Sequence, residues 1–275
     1  AMNKYRNSGF TLIEIAIVLL IVTIILGYTV AMAPLQQEVK QYRQADEEME
    51  KIIDSLYAFG QVNGYLPCPA WEAIDPVVTS NGFECRGEGT VLDCDAAVAP
   101  DPSVNTCDVW FGFLPGKTLG IEGQYNNNLL LDPWGMPYWY QVTNVDNGGI
   151  ESIGADFVFQ GDMQNEGIAN LAPDLVVCNT DPSASTVGSD ISCTEASETV
   201  VKELPAVVLS TGKDKNANVA ATSWVQRENQ DNSVTDRVFI KGPRNDTDAG
   251  KYDDIVKWIS PNLLFSKMIE ADQLP

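Results

Sequence analysis

Between Ile15 and Ala33 the chain runs for nineteen residues without a charged side chain. At about 1.5 Å per residue this is a helix of about 28 Å, close to the thickness of a bilayer's hydrocarbon core. A helix apolar on every side has no polar face to give to water, so lipid or other protein has to cover it. Lys4 and Arg6 precede the run and the next basic residue is Lys40. That asymmetry keeps the first residues cytoplasmic and sends the remainder across. A rival reading is a cleaved secretory signal, because Ala31-Met32-Ala33 has the small-x-small form of a peptidase site. The long apolar core, the acid Glu14 at its head and Pro34 directly after the scissile position favour an anchor that stays.

Glu14 is the residue that a plain anchor does not explain. A carboxylate in a membrane segment costs roughly 3 kcal/mol, and such a group ordinarily has a partner. The nearest candidate is a cation at the chain's own N-terminus. The stretch "SGFTLIEIAIVLLIV" resembles the class III leader of type IV prepilins and type II secretion pseudopilins. The resemblance implies cleavage after Gly9 by a prepilin peptidase and methyltransferase, and a methylated amine on Phe10. It further implies that Glu14 meets the Phe10 amine of a neighbouring subunit during assembly. The implied partners are an inner-membrane assembly platform and further subunits, in a homo-oligomeric or mixed filament. The implied location is the inner membrane with an extracytoplasmic head, then a periplasmic or surface filament. At 275 residues the chain is large for a bulk pilin, which favours a minor pilin or pseudopilin over a major subunit.

Beyond the apolar run the pattern changes to a period of about 3.5: Leu35, Val39, Tyr42, Met49, Ile52, Ile53, Leu56 and Phe59, with charges between them. The helix is therefore expected to continue amphipathically from the membrane to about Phe59, ended by Gly60 and Gly64, with Gly27 and Pro34 as points of kinking. The predicted layout is a leader at 1–9, an apolar helix at 10–33, an amphipathic continuation at 34–60 and a head at 61–275. Strands are predicted at 137–142, 174–178, 206–210 and 237–241, rich in β-branched and aromatic residues. Long surface loops are predicted at 79–108, 179–199 and 211–235. Asp253-Asp254 before "IVKWI" signals a short helix, and Ser260-Pro261 an N-cap and first turn for "NLLFSKMIEA". The class is α+β, and the resemblance implies that the long helix lies on an antiparallel sheet, with disulfide-braced loops.

Composition narrows the chemistry. Seventeen Lys and Arg face 38 Asp and Glu, a net charge of -21, and there is no His. Nucleic acid is repelled, and the commonest general base and transition-metal ligand is missing. A structural protein without cofactor is the expectation, not an enzyme. The reading from a different class is a membrane-anchored periplasmic hydrolase working through carboxylates alone, or a binding module.

Other motifs resolve mostly into structure. "DPWGMPYWY" (132–140) resembles a segment of pseudopilins and minor pilins, and its Pro133 and Gly135 suit a tight turn under buried aromatics. Cys68, Cys85, Cys94, Cys107, Cys178 and Cys193 all lie in the exported part, where an even number suggests up to three disulfides. Cys178 with Cys193 is the favoured pair, closing a loop beside a strand as in the C-terminal disulfide loop of many pilins; pairing among the other four is open. Zinc lacks both C-x-x-C and His. "GFLPGKT" (112–118) has Phe111 where a phosphate-binding loop needs Gly. "DKNAN" (214–218) lacks the Gly and closing Glu of an EF-hand. Some pseudopilins hold calcium in a C-terminal loop, which makes Asp214, Asn216, Asn218, Asp231 and Asp236 candidate calcium ligands against the default of a solvated loop.

Overall fold

The computed structural model describes residues 11–71, 82–86, 107, 109–145, 156–179, 192–193, 195–214, 229, 237–245 and 252–275, without the side chains of 27–35 and 214. The chain divides into two compact units, 1–43 and 44–275. The long helix α1 spans Leu12–Asn63, its assignment running through Gly27 and Pro34. In the first unit the side chains from Thr11 to Leu26 are all exposed, as the uninterrupted apolar sequence demands of a helix with no polar face. Among the described residues no helix is long and apolar enough to cross a membrane. The expected span, 15–33, runs into positions 27–35, whose side chains lie outside the described set.

In the second unit α1 buries Ala45, Met49, Ile52 and Leu56 completely or nearly so. Their spacing of three and four residues makes one stripe, with Asp46, Glu47, Glu50 and Asp54 exposed between them. The stripe lies on a four-stranded sheet in the order β1-β4-β7-β9, built from β1 (Phe111–Phe113), β4 (Trp139–Val142), β7 (Ala206–Ser210) and β9 (Ile255–Trp258). Every pairing in it is antiparallel, for example Tyr140 opposite Val208 and Val208 opposite Lys257. The period of two divides its side chains. Tyr140, Val142, Ala206 and Val208 join the core with α1, whereas Phe111, Val207, Leu209 and Val256 join a second core on the far face.

That second core is closed by a three-stranded sheet in the order β6-β5-β8: β6 (Thr199–Leu204), β5 (Leu175–Cys178) and β8 (Val238–Ile240). Leu175, Val177, Leu204 and Phe239 supply its inner face. β5 runs antiparallel to β6, with register shifts, and parallel to β8. The head is thus layered helix, sheet, sheet, and the expectation of an antiparallel sheet holds for the first sheet alone. A two-residue hairpin joins β2 (Tyr125–Asn126) to β3 (Leu129–Leu130). Its central Asn127 and Asn128 both have positive φ, 47° and 63°, as a type I′ turn requires.

The four predicted strands are present as β4, β5, β7 and β8, β7 with its predicted bounds and the others with trimmed ends. The predicted short helix at 253–259 is instead β9. Its β-branched residues pair with β7, and the acids meant to cap it are engaged elsewhere: Lys213 N donates to Asp253 Oδ2 (2.7 Å) and Asn229 Nδ2 to Asp254 Oδ2 (2.9 Å). Two further α-helices are α2 (Asp162–Glu166) and α3 (Pro261–Glu270), α3 starting after Ser260 as predicted but with no side-chain cap bond from it. The end of α1 also differs from expectation. Gly60 lies inside the helix, where a Cβ would come within 3.1 Å of Leu264 Cδ1, so its role is to admit α3. Gly64, at φ 78°, is the residue that stops the helix, its N–H closing on the Gly60 carbonyl at 2.9 Å. Most of the three predicted long loops lies outside the described residues, although 199 already belongs to β6.

Candidate functional site

Gly9 and Phe10, the expected processing residues, lie outside the described residues, so the N-terminal site begins at Thr11. Thr11 N–H and Thr11 Oγ1 both donate to Glu14 Oε2, each at 3.3 Å, and Glu14 N–H donates back to Thr11 Oγ1 at 3.3 Å. This is a reciprocal capping box: the first turn of a helix leaves N–H groups without helical acceptors, and a Thr followed three residues later by Glu supplies them. A carboxylate there also faces the positive end of the helix dipole. Glu14 therefore has a partner within its own chain, a reading the sequence offered in Thr-x-x-Glu and one overlooked by looking only for a cation. All three bonds are exposed, so an incoming group can compete for the same carboxylate.

In the head the cysteine expectations are met where they are described. Cys178 and Cys193 form a disulfide (Cα–Cα 5.8 Å) at the end of β5. Cys68 and Cys107 form a second (Cα–Cα 5.4 Å), and Cys85 is disulfide-bonded as well; Cys94 lies outside the described residues. Beside Cys68 lies an arrangement that no sequence signal announced. Glu84 Oε2 accepts from Cys68 N–H (3.1 Å) and from Arg86 Nε (2.9 Å), and the Arg86 guanidinium lies 4.5 Å over the Tyr65 ring. Both charged side chains are at most 4% exposed. Paired and bonded in this way, they brace the chain segment that crosses Cys107.

The Asp132 turn is structural. Asp132 Oδ1 accepts from Trp134 N–H (3.0 Å) and Met136 N–H (2.9 Å), and Oδ2 accepts from Ser210 Oγ (2.8 Å), which fastens the turn to β7. Burial pushes its carboxyl above the ordinary value, and these bonds pull the other way. From the same segment Tyr138 donates its hydroxyl to Glu48 Oε2 on α1 (2.9 Å), with burial and then Glu48 raising the phenol. "GFLPGKT" forms β1 and a turn with no helix after it, and Lys117 Nζ lies 4.0 Å over the Tyr125 ring. Among the described residues no group of three or more metal-ligating side chains comes together. Of the calcium candidates, Asn216, Asn218, Asp231 and Asp236 lie outside the described residues, as does the side chain of Asp214.

The exposed apolar helix, opened by Thr11 and Glu14, is the part of the chain with known likenesses. Residues 4–30 match the model of the prokaryotic N-terminal methylation motif. This motif is the class III prepilin leader of type IV pilins and pseudopilins, and its presence at the N-terminus supports a pilin-like precursor. Such a leader implies processing by prepilin peptidase, a membrane-anchored precursor and assembly into filaments, and it suggests a structural role. Thr11, Glu14 and the exposed residues up to Leu26 all fall inside the match. No curated protein and no solved structure matches the chain. The head is therefore read from its own geometry.

Proposed function

We propose that the chain is a structural subunit of a type IV pilus-like or type II secretion pseudopilus filament, cleaved after Gly9, methylated at Phe10 and polymerised through its N-terminal helix. The observation that carries this is the apolar helix under the prepilin leader. Twelve large hydrophobic residues between Leu12 and Leu26 are exposed, Leu12 to 88% and Ile24 to 64%. Fully burying one such side chain is worth about 1.5–3 kcal/mol, so leaving twelve in water is prohibitive beside the marginal stability of a domain. Lipid covers them in the precursor, and the helices of other subunits cover them after extraction. The head contributes a rigid body: α1 is buried along one stripe in the second unit, and the disulfides and the Asp132 turn fix the sheets behind it.

Native mass spectrometry tests the first step, with a chain beginning at methylated Phe10 as the expected result and Gly9→Val remaining full length. Electron microscopy and immunoblotting of sheared surface or periplasmic fractions test the second. A mature N-terminus at Pro34 would remove the exposed apolar half of α1 and end the proposal.

A further inference from the structure

Charge is distributed unevenly along this chain. Residues 1–43 carry two acids and four bases, whereas residues 44–275 carry 36 acids and 13 bases. Several of the bases of the head, among the described residues, also have a partner inside it. Arg86 is held by Glu84, Arg237 by Asp174, Lys202 by Glu203 and Lys257 by Asp46. Lys241 and Lys117 lie over the rings of Trp258 and Tyr125. A second copy approaching the head therefore meets an excess of carboxylates, such as the exposed Asp54 on α1 and Glu270 on α3, over bases of which several already have a partner in their own head. Burial of the apolar helices draws copies together while the heads repel.

We propose that neighbouring heads associate only through a diffuse screening layer of cations, so that ionic strength sets whether assembled copies of this subunit stay together. The inference rests on the assembly reading above and concerns the head–head contact. It requires no metal site: the partner is a second copy of the chain, and the cations between are mobile. The reach of the repulsion follows the screening length, about 30 Å at 0.01 M salt and about 10 Å at 0.1 M. At low salt each carboxylate acts across a neighbouring head, and at physiological salt only on groups it touches. Divalent cations, drawn more strongly to an anionic surface, act at lower concentration than monovalent ones.

The test uses sheared filaments of the full processed chain, dialysed from about 0.3 M to about 0.01 M NaCl, a range across which the screening length changes several-fold. The pelletable fraction is followed by immunoblot. The expected result is a severalfold loss at low salt, prevented by NaCl and, at millimolar concentration, equally by magnesium or calcium. The double variant Asp54→Asn, Glu270→Gln, confined to exposed positions, should move the midpoint to lower salt. An unchanged pelletable fraction at both salts overturns the inference while leaving assembly intact. Protection by calcium alone, with magnesium and NaCl ineffective, also overturns it and assigns a specific site in its place. Absence of the chain from filaments at every salt is a different outcome, removing the assembly reading itself.

Discussion

Lys257 on β9 reaches Asp46 on α1, Nζ to Oδ1 at 2.6 Å, with Glu50 Oε1 at 3.5 Å behind it. The strand whose residues looked helical is thus the one that ties the sheet edge to the helix. The lysine is 24% exposed and Asp46 54%, so solvent screens the contact and its worth is about 0–1 kcal/mol. Lys257→Met should therefore lower the urea midpoint of the detergent-solubilised chain only slightly. Leu56→Ala, at a fully buried position in the stripe beneath, should cost about 2–5 kcal/mol. Equal losses in the two variants would mean that the ion pair holds α1 to the sheet as strongly as a residue of the stripe does.

Asp132 gives a pH signature. Its carboxyl is raised by burial, so the folded state binds the proton more tightly than the unfolded chain does. The stability this contributes is complete below the ordinary carboxyl value and is lost as the pH rises through the raised one. Asp132→Asn keeps an acceptor for Trp134 and Met136 and removes the titration. The difference in urea midpoint between wild type and Asp132→Asn should then shift in favour of the wild type on going from pH 7 towards pH 4. Asp132→Ala strands the three donors and should cost about 1–3 kcal/mol at either pH. A wild-type minus Asn difference that is flat with pH would show that the hydrogen bonds cancel the effect of burial.

How much of this was legible beforehand depended on whether a residue's role was local. The stripe Met49, Ile52, Leu56 and the strands β4, β5, β7 and β8 announce themselves because burial on one face or two imposes a period on the sequence itself. β9 did not, since two aspartates before a short apolar run are a helix signal unless Lys213 and Asn229 come from elsewhere to claim them. Gly60 read as a stop because its neighbour, Leu264, is far away in sequence. The burial of Arg86 with Glu84 depends on Tyr65 and Cys68, and nothing in the local pattern separates these two charges from those of a solvated loop. Thr11–Glu14 is the opposite case, a local signal in plain sight, passed over in favour of a longer-range one.

The disulfides differ in what they close. Cys68–Cys107 spans 39 residues and Cys178–Cys193 spans 15. Chain entropy then assigns them about 4 and about 3 kcal/mol respectively. Non-reducing peptide mapping should recover both pairs, with Cys85 joined to Cys94, the remaining cysteine. The Cys68→Ser, Cys107→Ser variant should lose more stability than Cys178→Ser, Cys193→Ser, and by more than entropy alone gives, because Glu84 and Arg86 lose the frame that buries them. A larger loss from the Cys178 pair would show that bracing β5 outweighs both effects.

Glu14 joins the capping geometry to the proposed assembly, and the two roles can be separated. In the unassembled chain its carboxylate satisfies Thr11, and in a filament the Phe10 amine of a neighbour is the proposed competitor for the same oxygens. Glu14→Gln keeps the capping box, for which Glu and Gln serve alike, and removes only the charge. Thr11→Val does the reverse, leaving the carboxylate and deleting the side chain that caps the turn, at a cost of about 0.5–2 kcal/mol to the helix end. Glu14→Ala removes both, yet should insert into membranes as well as wild type or better, since about 3 kcal/mol of charge burial disappears with it. The measurement is the fraction of subunit in sheared filaments against that in membranes, in cells with no other copy. Charge pairing between subunits predicts loss of filament in Gln and Ala and near-normal yield in Val. Loss in Val and Ala with normal yield in Gln would make Glu14 a helix cap and nothing more, and the neighbouring amine would then have to find its counter-charge elsewhere.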